Sequence, residues 1–477
     1  MQSRNLDQRG GLLLRGGPKQ QVRYGWLAVA MLALLVTALG GSSRSDAVQI
    51  VALRPLTALL LVPFLIAFSR HRLADVKTPL LLLGSLTILM IVQLIPLPSG
   101  VFQSLPGRGA ITDISAAIGA EPVWRPISMV PARTLNALAS LIVPVMALLL
   151  AAGMGLPRTT LLLFAVAIGV ADAFMALLQA LSGWNEGLYF YAITNNGSAV
   201  GLFANQNHSA VFGSLILLVI GHLLSDARSR NWLRWQRAAL LLGFALIFLS
   251  ALIGGSRAGL LTAFLSVLAT AAMFWLSRKR SEREEVRRPK LFGVEIGPYA
   301  MAIVGALIVV LIVIAFMLFD RIPAMRSLAN VSHFDDLRWR LLPVLQEMMS
   351  TFWLVGSGFG SFEEVYHIFE PSELLAPAYV NQAHNDLAQL IIEGGVAACV
   401  LLGGTVVWFV RRLLQIGAAT RQRLAALLFW SVVATTVVFA SLVDYPLRTP
   451  LFQFVVIILI VAFCRENLAD GDLPATN

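Results

Sequence analysis

Four short polar motifs interrupt an otherwise apolar chain of 477 residues, and each combines groups that can bind or activate a polar substrate. The first motif runs from Gly201 to His208 and contains Asn205, Asn207 and His208. Amide and imidazole side chains at the start of a helix can cap it, and they can equally bind sugar hydroxyls or a phosphate. Capping and ligand binding are therefore both open for this motif.

The second and third motifs contribute arginines. Arg257 lies in the glycine-rich segment Gly254–Gly259, and Arg338 and Arg340 follow two aspartates in the segment Asp335–Arg340. A guanidinium group matches the geometry of phosphate and keeps its charge when buried, so these arginines are candidate anion ligands. The alternatives are an Arg257 side chain that snorkels to a membrane surface and local ion pairs within the third motif.

The fourth motif, Asn381–Asp386, contains a candidate general base. The imidazole of His384 can exchange protons near neutral pH, and Asn385 or Asp386 is a natural N-cap for the apolar segment that follows. Glu393 lies further along that segment, about 10 Å from His384 by the helical rise, so the spacing alone does not ensure a contact. A purely structural histidine is the alternative.

Other charged residues lie within or between apolar segments. Asp444 and Arg448 connect the last two apolar segments, and the spacing predicts an ion pair that closes a hairpin. Arg54 and Asp172 lie inside predicted membrane spans. Asp172 is equally compatible with a contact between helices and with a place in a groove for a lipid.

The sequence predicts no metal site and no cofactor. Its two cysteines, Cys399 and Cys464, both lie in apolar runs, which makes a disulfide scaffold or a thiolate metal site improbable. The six histidines include no H-x-x-x-H pair that would favour zinc.

The composition predicts an all-α polytopic membrane protein. Hydrophobic residues make up 57% of the chain and charged residues only 13%, whereas soluble domains contain about 25% charged residues. A span requires about 20 apolar residues, and lipid offers the backbone no partners, so the spans should be helices. We predict twelve spans, at approximately residues 25–41, 49–68, 78–97, 134–154, 159–182, 206–225, 238–254, 258–277, 298–319, 387–410, 424–443 and 449–464.

The basic residues predict the orientation of these spans. With the N-terminus inside, the inner segments contain 25 of the 36 lysines and arginines, as the positive-inside rule requires. The net charge of +10 therefore reflects topology and does not indicate nucleic-acid binding. All four motifs then lie on the outer face. The predicted organisation is a basic cytoplasmic tail (1–24), helices 1–9 (25–319), a long outer loop (320–386), helices 10–12 (387–464) and a second cytoplasmic tail (465–477).

Taken in order, the four motifs resemble those of the O-antigen ligase and polymerase superfamily of bacterial envelope glycosyltransferases. The third motif departs from the family pattern in two ways. The family has a single arginine here, whereas both Arg338 and Arg340 fit that position. Leu342 also stands where the family often has tryptophan. The matching pieces are G-x-F-x-N-x-N at Gly201–Asn207, S-R-x-G at Ser256–Gly259, Arg338 placed 18 residues before the G-x-G of Gly356–Gly358, and H-N-D-L-x-x-L-x-x-E-x-G at His384–Gly395.

The resemblance implies a fold of the GT-C kind in the bacterial inner membrane, with both termini cytoplasmic and the site periplasmic. It implies a metal-independent transfer of a glycan from undecaprenyl diphosphate to an acceptor hydroxyl. The implied catalytic residues are His384, Arg257 and Arg338. The implied substrate-binding residues are Asn205, Asn207, His208, Arg340, Asn385, Asp386 and Glu393.

The motifs separate the members of the superfamily poorly. A ligase would transfer a finished polymer to a sugar of lipid A–core, and we favour it because its motifs match more fully. A polymerase would join lipid-linked repeat units, and the Asp444–Arg448 segment keeps that alternative open. A protein-glycosylating ligase is a third option, and a lipid-glycan transporter is a more distant one.

Overall fold

The computed structural model of the chain describes residues 18–67, 70–226, 232–277, 290–291, 294–295, 333–375 and 380–466. The helices are α1 (Pro18–Leu39), α2 (Gln49–Leu59), α3 (Leu61–Ala67), α4 (Lys77–Gln93), α5 (Ser99–Ser104), α6 (Gly109–Ala117), α7 (Pro131–Ser140), α8 (Ile142–Gly153), α9 (Arg158–Leu181), α10 (Gln206–Ser225), α11 (Arg234–Ile253), α12 (Arg257–Ser277), α13 (His333–Phe352), α14 (Phe362–Phe369), α15 (Asp386–Ile416), α16 (Arg421–Val443) and α17 (Pro450–Cys464).

Other regular structure is short. Single 3₁₀ turns cover Arg70–Val76, Glu186–Leu188, Ser372–Leu374 and Pro446–Arg448. Two small antiparallel pairs join β1 (Pro96–Leu97) to β2 (Arg125–Pro126) and β3 (Lys290–Leu291) to β4 (Val294–Glu295). The predicted all-α, multi-pass character is therefore confirmed.

Eight helical segments are long and apolar enough to cross a membrane, and three shorter apolar helices accompany them. Each coincides with one of the predicted spans. The remaining predicted span, the ninth (298–319), lies outside the described residues, so the number twelve stays a prediction. The long segments are Arg72–Gln93, Pro131–Gly153, Arg158–Leu181, Gln206–Ser225, Arg234–Ile253, Arg257–Ser277, Asp386–Ile416 and Arg421–Val443, and the shorter ones are Gly25–Leu39, Gln49–Leu65 and Pro450–Cys464.

Helix α10 is the centre of the bundle, because its most apolar window is 94% buried. It packs against α9, α11, α12 and α16. Small residues allow the close approach of α10 and α12: a Cβ atom added at Gly259 would lie 2.2 Å from the Cβ atom of Ala210. The first residues of α10 and α12, which belong to the first two polar motifs, are thereby held close together.

The segment before α15 forms a small second core on the face that carries the motifs, which we call the outer face. Leu341 and Phe352 of α13 and Tyr366 of α14 are buried against Ile392 of α15. Helix α13 continues through Pro343. Thus part of the long outer loop is folded and docked onto the bundle.

A break inside α15 receives the glycine-rich turn that follows α13. Gly395 has φ 60° and ψ −156°, a conformation open essentially only to glycine. The break frees backbone groups, and the turn pairs with them: Ser357 N donates to Ile392 O (2.8 Å), and Gly358 N donates to Glu393 O (3.0 Å). Unpaired backbone groups are costly at membrane depth, so the turn and the break stabilise each other.

We predict that Gly395→Ala lowers the free energy of unfolding by about 2–3 kcal/mol, because alanine is strained in this conformation. The added Cβ atom would also lie 2.6 Å from Gly356 N. The measurement is thermal unfolding of the purified protein in detergent. Gly403→Ala in the same helix is the control, because a Cβ atom there meets nothing within 4 Å. Equal melting temperatures for the two variants would contradict the proposed coupling.

Candidate functional site on the outer face

The carboxylate of Asp444 is the centre of a polar cluster at the end of α16. It is buried, with 3% of the residue exposed. Asn207 Nδ2 donates to its Oδ2 (2.9 Å), and Tyr445 N donates to its Oδ1 (3.0 Å). Two imidazoles approach Oδ1 as well: His208 Nε2 lies 3.6 Å away and His384 Nδ1 lies 3.5 Å away. The first and fourth motifs therefore meet at one carboxylate.

The two histidines differ in their access to a substrate. His208 is buried, and its Nδ1 lies 3.1 Å from the Thr449 hydroxyl. The side chain of His384 is 17% exposed. Tyr445 packs its ring edge-on against both imidazoles. His384 is thus the histidine that can reach a bound hydroxyl.

The backbone of His384 is unusual. Its φ of 48° lies in the left-handed region, which few non-glycine residues adopt. Such conformations cost energy and occur most often where the surrounding structure fixes a functional residue. The conformation carries the chain from Asn381–Ala383 into α15 and directs the imidazole toward Asp444.

The two histidines also affect the pKa of the Asp444 carboxyl. Burial by itself would raise the pKa of Asp444, but the interactions with His208 and His384 hold it well below its ordinary value. A fixed carboxylate beside an imidazole orients the ring and stabilises the positive charge that the ring gains when it accepts a proton. The His384–Asp444 arrangement can therefore act as a general base.

A second group of charges surrounds Arg448. Its Nε lies 3.2 Å from Asp386 Oδ1, and its Nη2 lies 3.3 Å from Glu393 Oε2. Glu393 is fully buried and also accepts a hydrogen bond from Gln389 Nε2 (2.9 Å). Burial would lower the pKa of Arg448, but Glu393 and Asp386 raise it above its ordinary value. The result is a partly buried cation held between two carboxylates of α15.

The predicted ion pair between Asp444 and Arg448 is wrong. The 3₁₀ turn Pro446–Arg448 separates the two side chains, and each finds partners on other helices. Because the spacing suggests a local pair, the sequence did not reveal that Asp444 and Arg448 contact residues of other helices. The available signal was the presence of two opposite charges in a five-residue connection between apolar segments.

Two predicted ligands serve as helix caps. Asn205 accepts a hydrogen bond from Asn207 N (2.8 Å) at the start of α10. Asn385 accepts one from Ala388 N (3.0 Å) at the start of α15. These caps fix the helix starts that carry Asn207 and Asp386.

The predicted arginines have different positions. Arg257 is half-buried at the first residue of α12, and the next residue, Ala258, lines a small cavity with Asn207, His208 and Asp444. Arg340 is exposed, and its Nη2 donates to Glu373 O (2.9 Å) in the outer loop. The backbone of Arg338 belongs to α13, whereas its side chain lies outside the described residues.

A cavity of about 380 Å³ lies beside the cluster, between α2, α7, α15 and the start of α17. Arg54, Asn136, Asp386, Glu393 and Arg448 contribute polar lining. Among the described residues, no group of three or more His, Cys, Asp and Glu side chains is arranged to hold a metal ion. The site therefore offers a histidine beside a buried carboxylate, arginines and a cavity of mixed polarity.

We predict that Arg448→Met lowers the free energy of unfolding by about 3–5 kcal/mol, because it leaves the buried Glu393 carboxylate without its cation. Adding Glu393→Gln should recover part of this loss. The measurement is thermal unfolding of the single and double variants in detergent.

Arg44→Met is the matched control, because Arg44 pairs with an Asp46 side chain that is 59% exposed. An exposed pair contributes at most about 1 kcal/mol. If Arg448→Met lowers the free energy of unfolding no more than Arg44→Met does, the ion pairs of Arg448 with α15 do not stabilise the fold.

The chain is similar to one known family. A family model described as O-Antigen ligase matches residues 242–403, a stretch that runs from α11 into α15. A search of curated proteins finds no match.

Proposed function

Residues 242–403 carry a domain of the O-antigen ligase superfamily, and from this premise we propose that the protein is a membrane glycosyltransferase. It moves a glycan from undecaprenyl diphosphate to an acceptor hydroxyl. The observation that carries the proposal is the contact between His384 Nδ1 and Asp444 Oδ1 (3.5 Å), close in sequence to Gln382 and Asp386, which line the large cavity. A partly exposed histidine that a carboxylate orients is the arrangement that deprotonation of a hydroxyl requires.

The proposed reaction is a single displacement. The acceptor oxygen gives its proton to His384 as it attacks the anomeric carbon of the donor. The bond between that carbon and the diphosphate oxygen breaks, and the diphosphate leaves with the electron pair. Asp444 stabilises the imidazolium that forms, and we propose that Asn207 and His208 position Asp444 rather than contact the sugar.

The leaving diphosphate gains negative charge, which fixed cations stabilise without reorganisation. We assign this role to Arg257 and Arg338. Arg257 begins α12 next to the small cavity beside Asp444. Asp386 and Glu393 hold Arg448 in the wall of the large cavity. Asn205 and Asn385 cap helices, and Arg340 contacts the outer loop. We therefore assign no substrate contact to these three residues.

We favour a ligase whose acceptor is a sugar of lipid A–core, with the polymerase as the alternative. In both cases the site faces the periplasm from the inner membrane and both termini are cytoplasmic. The buried Asp172 weighs against a transporter. It accepts hydrogen bonds from Leu202 N (2.7 Å) and Ser209 Oγ (2.8 Å), which explains this intramembrane charge as a contact between α9 and α10.

We expect His384→Gln to lower the transfer rate by about 10²–10⁴-fold, the usual contribution of a general base. Asp444→Asn should also lower it, because an amide cannot stabilise an imidazolium. The measurement is transfer from a lipid-linked glycan by the purified protein in detergent. His367→Gln is the control, since His367 is a largely exposed histidine of α14 that contacts Glu370. Normal transfer by His384→Gln would refute the assignment of the base.

Arg257→Ala and Arg338→Ala should each abolish transfer while the protein still inserts into the membrane. Transfer is measured as above, and insertion is checked by the yield of the membrane-extracted, monodisperse protein. Activity close to that of the unmodified protein in either variant would remove that arginine from the proposed diphosphate site.

The glycans of a strain that lacks the protein distinguish the two functions. A ligase predicts full-length polymer retained on undecaprenyl diphosphate and none on the outer membrane. A polymerase predicts single repeat units on the carrier or on the core. Sizing by gel and mass spectrometry reads out both, and a normal profile would contradict both.

A further inference from the structure

Arg54 has a charge that the described part of the protein does not neutralise. It lies in α2, about 7.5 Å along the helix axis from the first residue, Gln49, and is half-buried in the cavity wall. Its Nη1 donates to Asn136 Oδ1 (2.6 Å), which is a neutral acceptor. Among the described residues, no carboxylate lies within 4 Å of its guanidinium. An unpaired charge at membrane depth is costly unless it meets an anion.

The other arginines in the wall of this cavity differ from Arg54, because each one contacts acidic side chains. Arg44 contacts Asp46, Arg133 contacts Glu363 and Glu364, and Arg448 contacts Asp386 and Glu393. The free hydrogen-bonding capacity of Arg54 faces a space that is large enough for a ligand, so its missing partner can be a ligand group.

An apolar groove continues from this cavity into the membrane layer. It has a volume of about 260 Å³ and runs along α4 and α15. Leu86, Leu390 and Leu402 line both the groove and the cavity, so the two spaces adjoin. Further along, Leu82 and Trp408 continue the apolar wall. One ligand can therefore place an anionic head near Arg54 and an apolar chain in the groove.

We propose that the cavity and the groove form a single site for an isoprenoid diphosphate lipid, in which Arg54 binds the phosphate attached to the chain. The phosphate next to the sugar is then left for Arg257 and Arg338. The lining of the groove is almost entirely apolar, which suits an isoprenoid chain. This inference rests on the proposed function, since it gives the donor its place.

The test compares lipids that differ only in the head group. Undecaprenyl diphosphate and the neutral alcohol undecaprenol are titrated into purified protein, and binding is measured by native mass spectrometry. Arg54→Gln should weaken binding of the diphosphate about tenfold, the value of one charge-assisted hydrogen bond, and leave binding of the alcohol unchanged. Unchanged affinity for the diphosphate, or equal weakening for both lipids, would overturn the proposal.

Arg72→Gln is the matched control. Arg72 is also a partly buried arginine with a neutral partner, as its Nη1 donates to Met154 O (3.1 Å). That contact is at the end of α8, whereas Arg54 contacts Asn136 in the middle of α7, so the two contacts are 18 residues apart along this helix pair. The control variant should bind both lipids normally, and a loss equal to that of Arg54→Gln would mean a general charge effect.

A second variant tests the groove separately. Leu82→Trp should narrow it, weaken binding of undecaprenyl diphosphate several-fold and spare the short geranyl diphosphate. Equal affinities for the long lipid in the variant and the unmodified protein would exclude the groove as the path of the chain.

Failure of this inference and failure of the proposed function give different results. If the unmodified protein transfers glycan but Arg54→Gln binds the diphosphate lipid normally, the function stands and the role of Arg54 is wrong. If the unmodified protein binds the lipid through Arg54 but transfers no glycan, the lipid site stands and the proposed function is wrong. If it binds no diphosphate lipid at all, both are wrong.

Discussion

The break in α15 must have its freed backbone groups paired at membrane depth, and this constraint links the fold to the site. Glu393 lies at the break, and its carbonyl accepts hydrogen bonds from Gly358 N (3.0 Å) and from Gln93 Nε2 (2.8 Å). The side chain of the same residue holds Arg448. One residue thus ties the glycine-rich turn and α4 to the connection that carries Asp444, so the folded outer loop and the candidate site cannot move independently.

The apolar helices could be predicted from the sequence, because lipid leaves the backbone no partners outside the helix and the required length is fixed by the membrane. The described spans therefore fall where the apolar runs do. The break at Gly395 could not be placed in this way. It depends on the approach of Gly356, 39 positions earlier in the chain, whose own φ of 75° has no signature beyond the glycine itself.

The candidate site could be predicted in part. The motif containing His384 identified a histidine that the structure places at a carboxylate, and the motif at Asn207 and His208 supplies two more contacts to it. The carboxylate itself, Asp444, was assigned a local partner because opposite charges four residues apart usually pair. Its actual partners lie 60 and more than 230 positions away in the sequence, and only the packing of α10, α15 and α16 brings them together.

The arginines show why charge alone does not identify a ligand. On sequence grounds Arg257, Arg338 and Arg340 are the candidates for phosphate, because they lie in the polar motifs of the outer face. In the structure a guanidinium beside a carboxylate, such as Arg133 next to Glu363 and Glu364, already has an anion, and a ligand would have to displace it. A guanidinium with only a neutral acceptor, such as Arg54, gains most from an arriving phosphate. What identifies a candidate ligand is therefore whether a carboxylate already lies beside the arginine, and only the folded chain shows this.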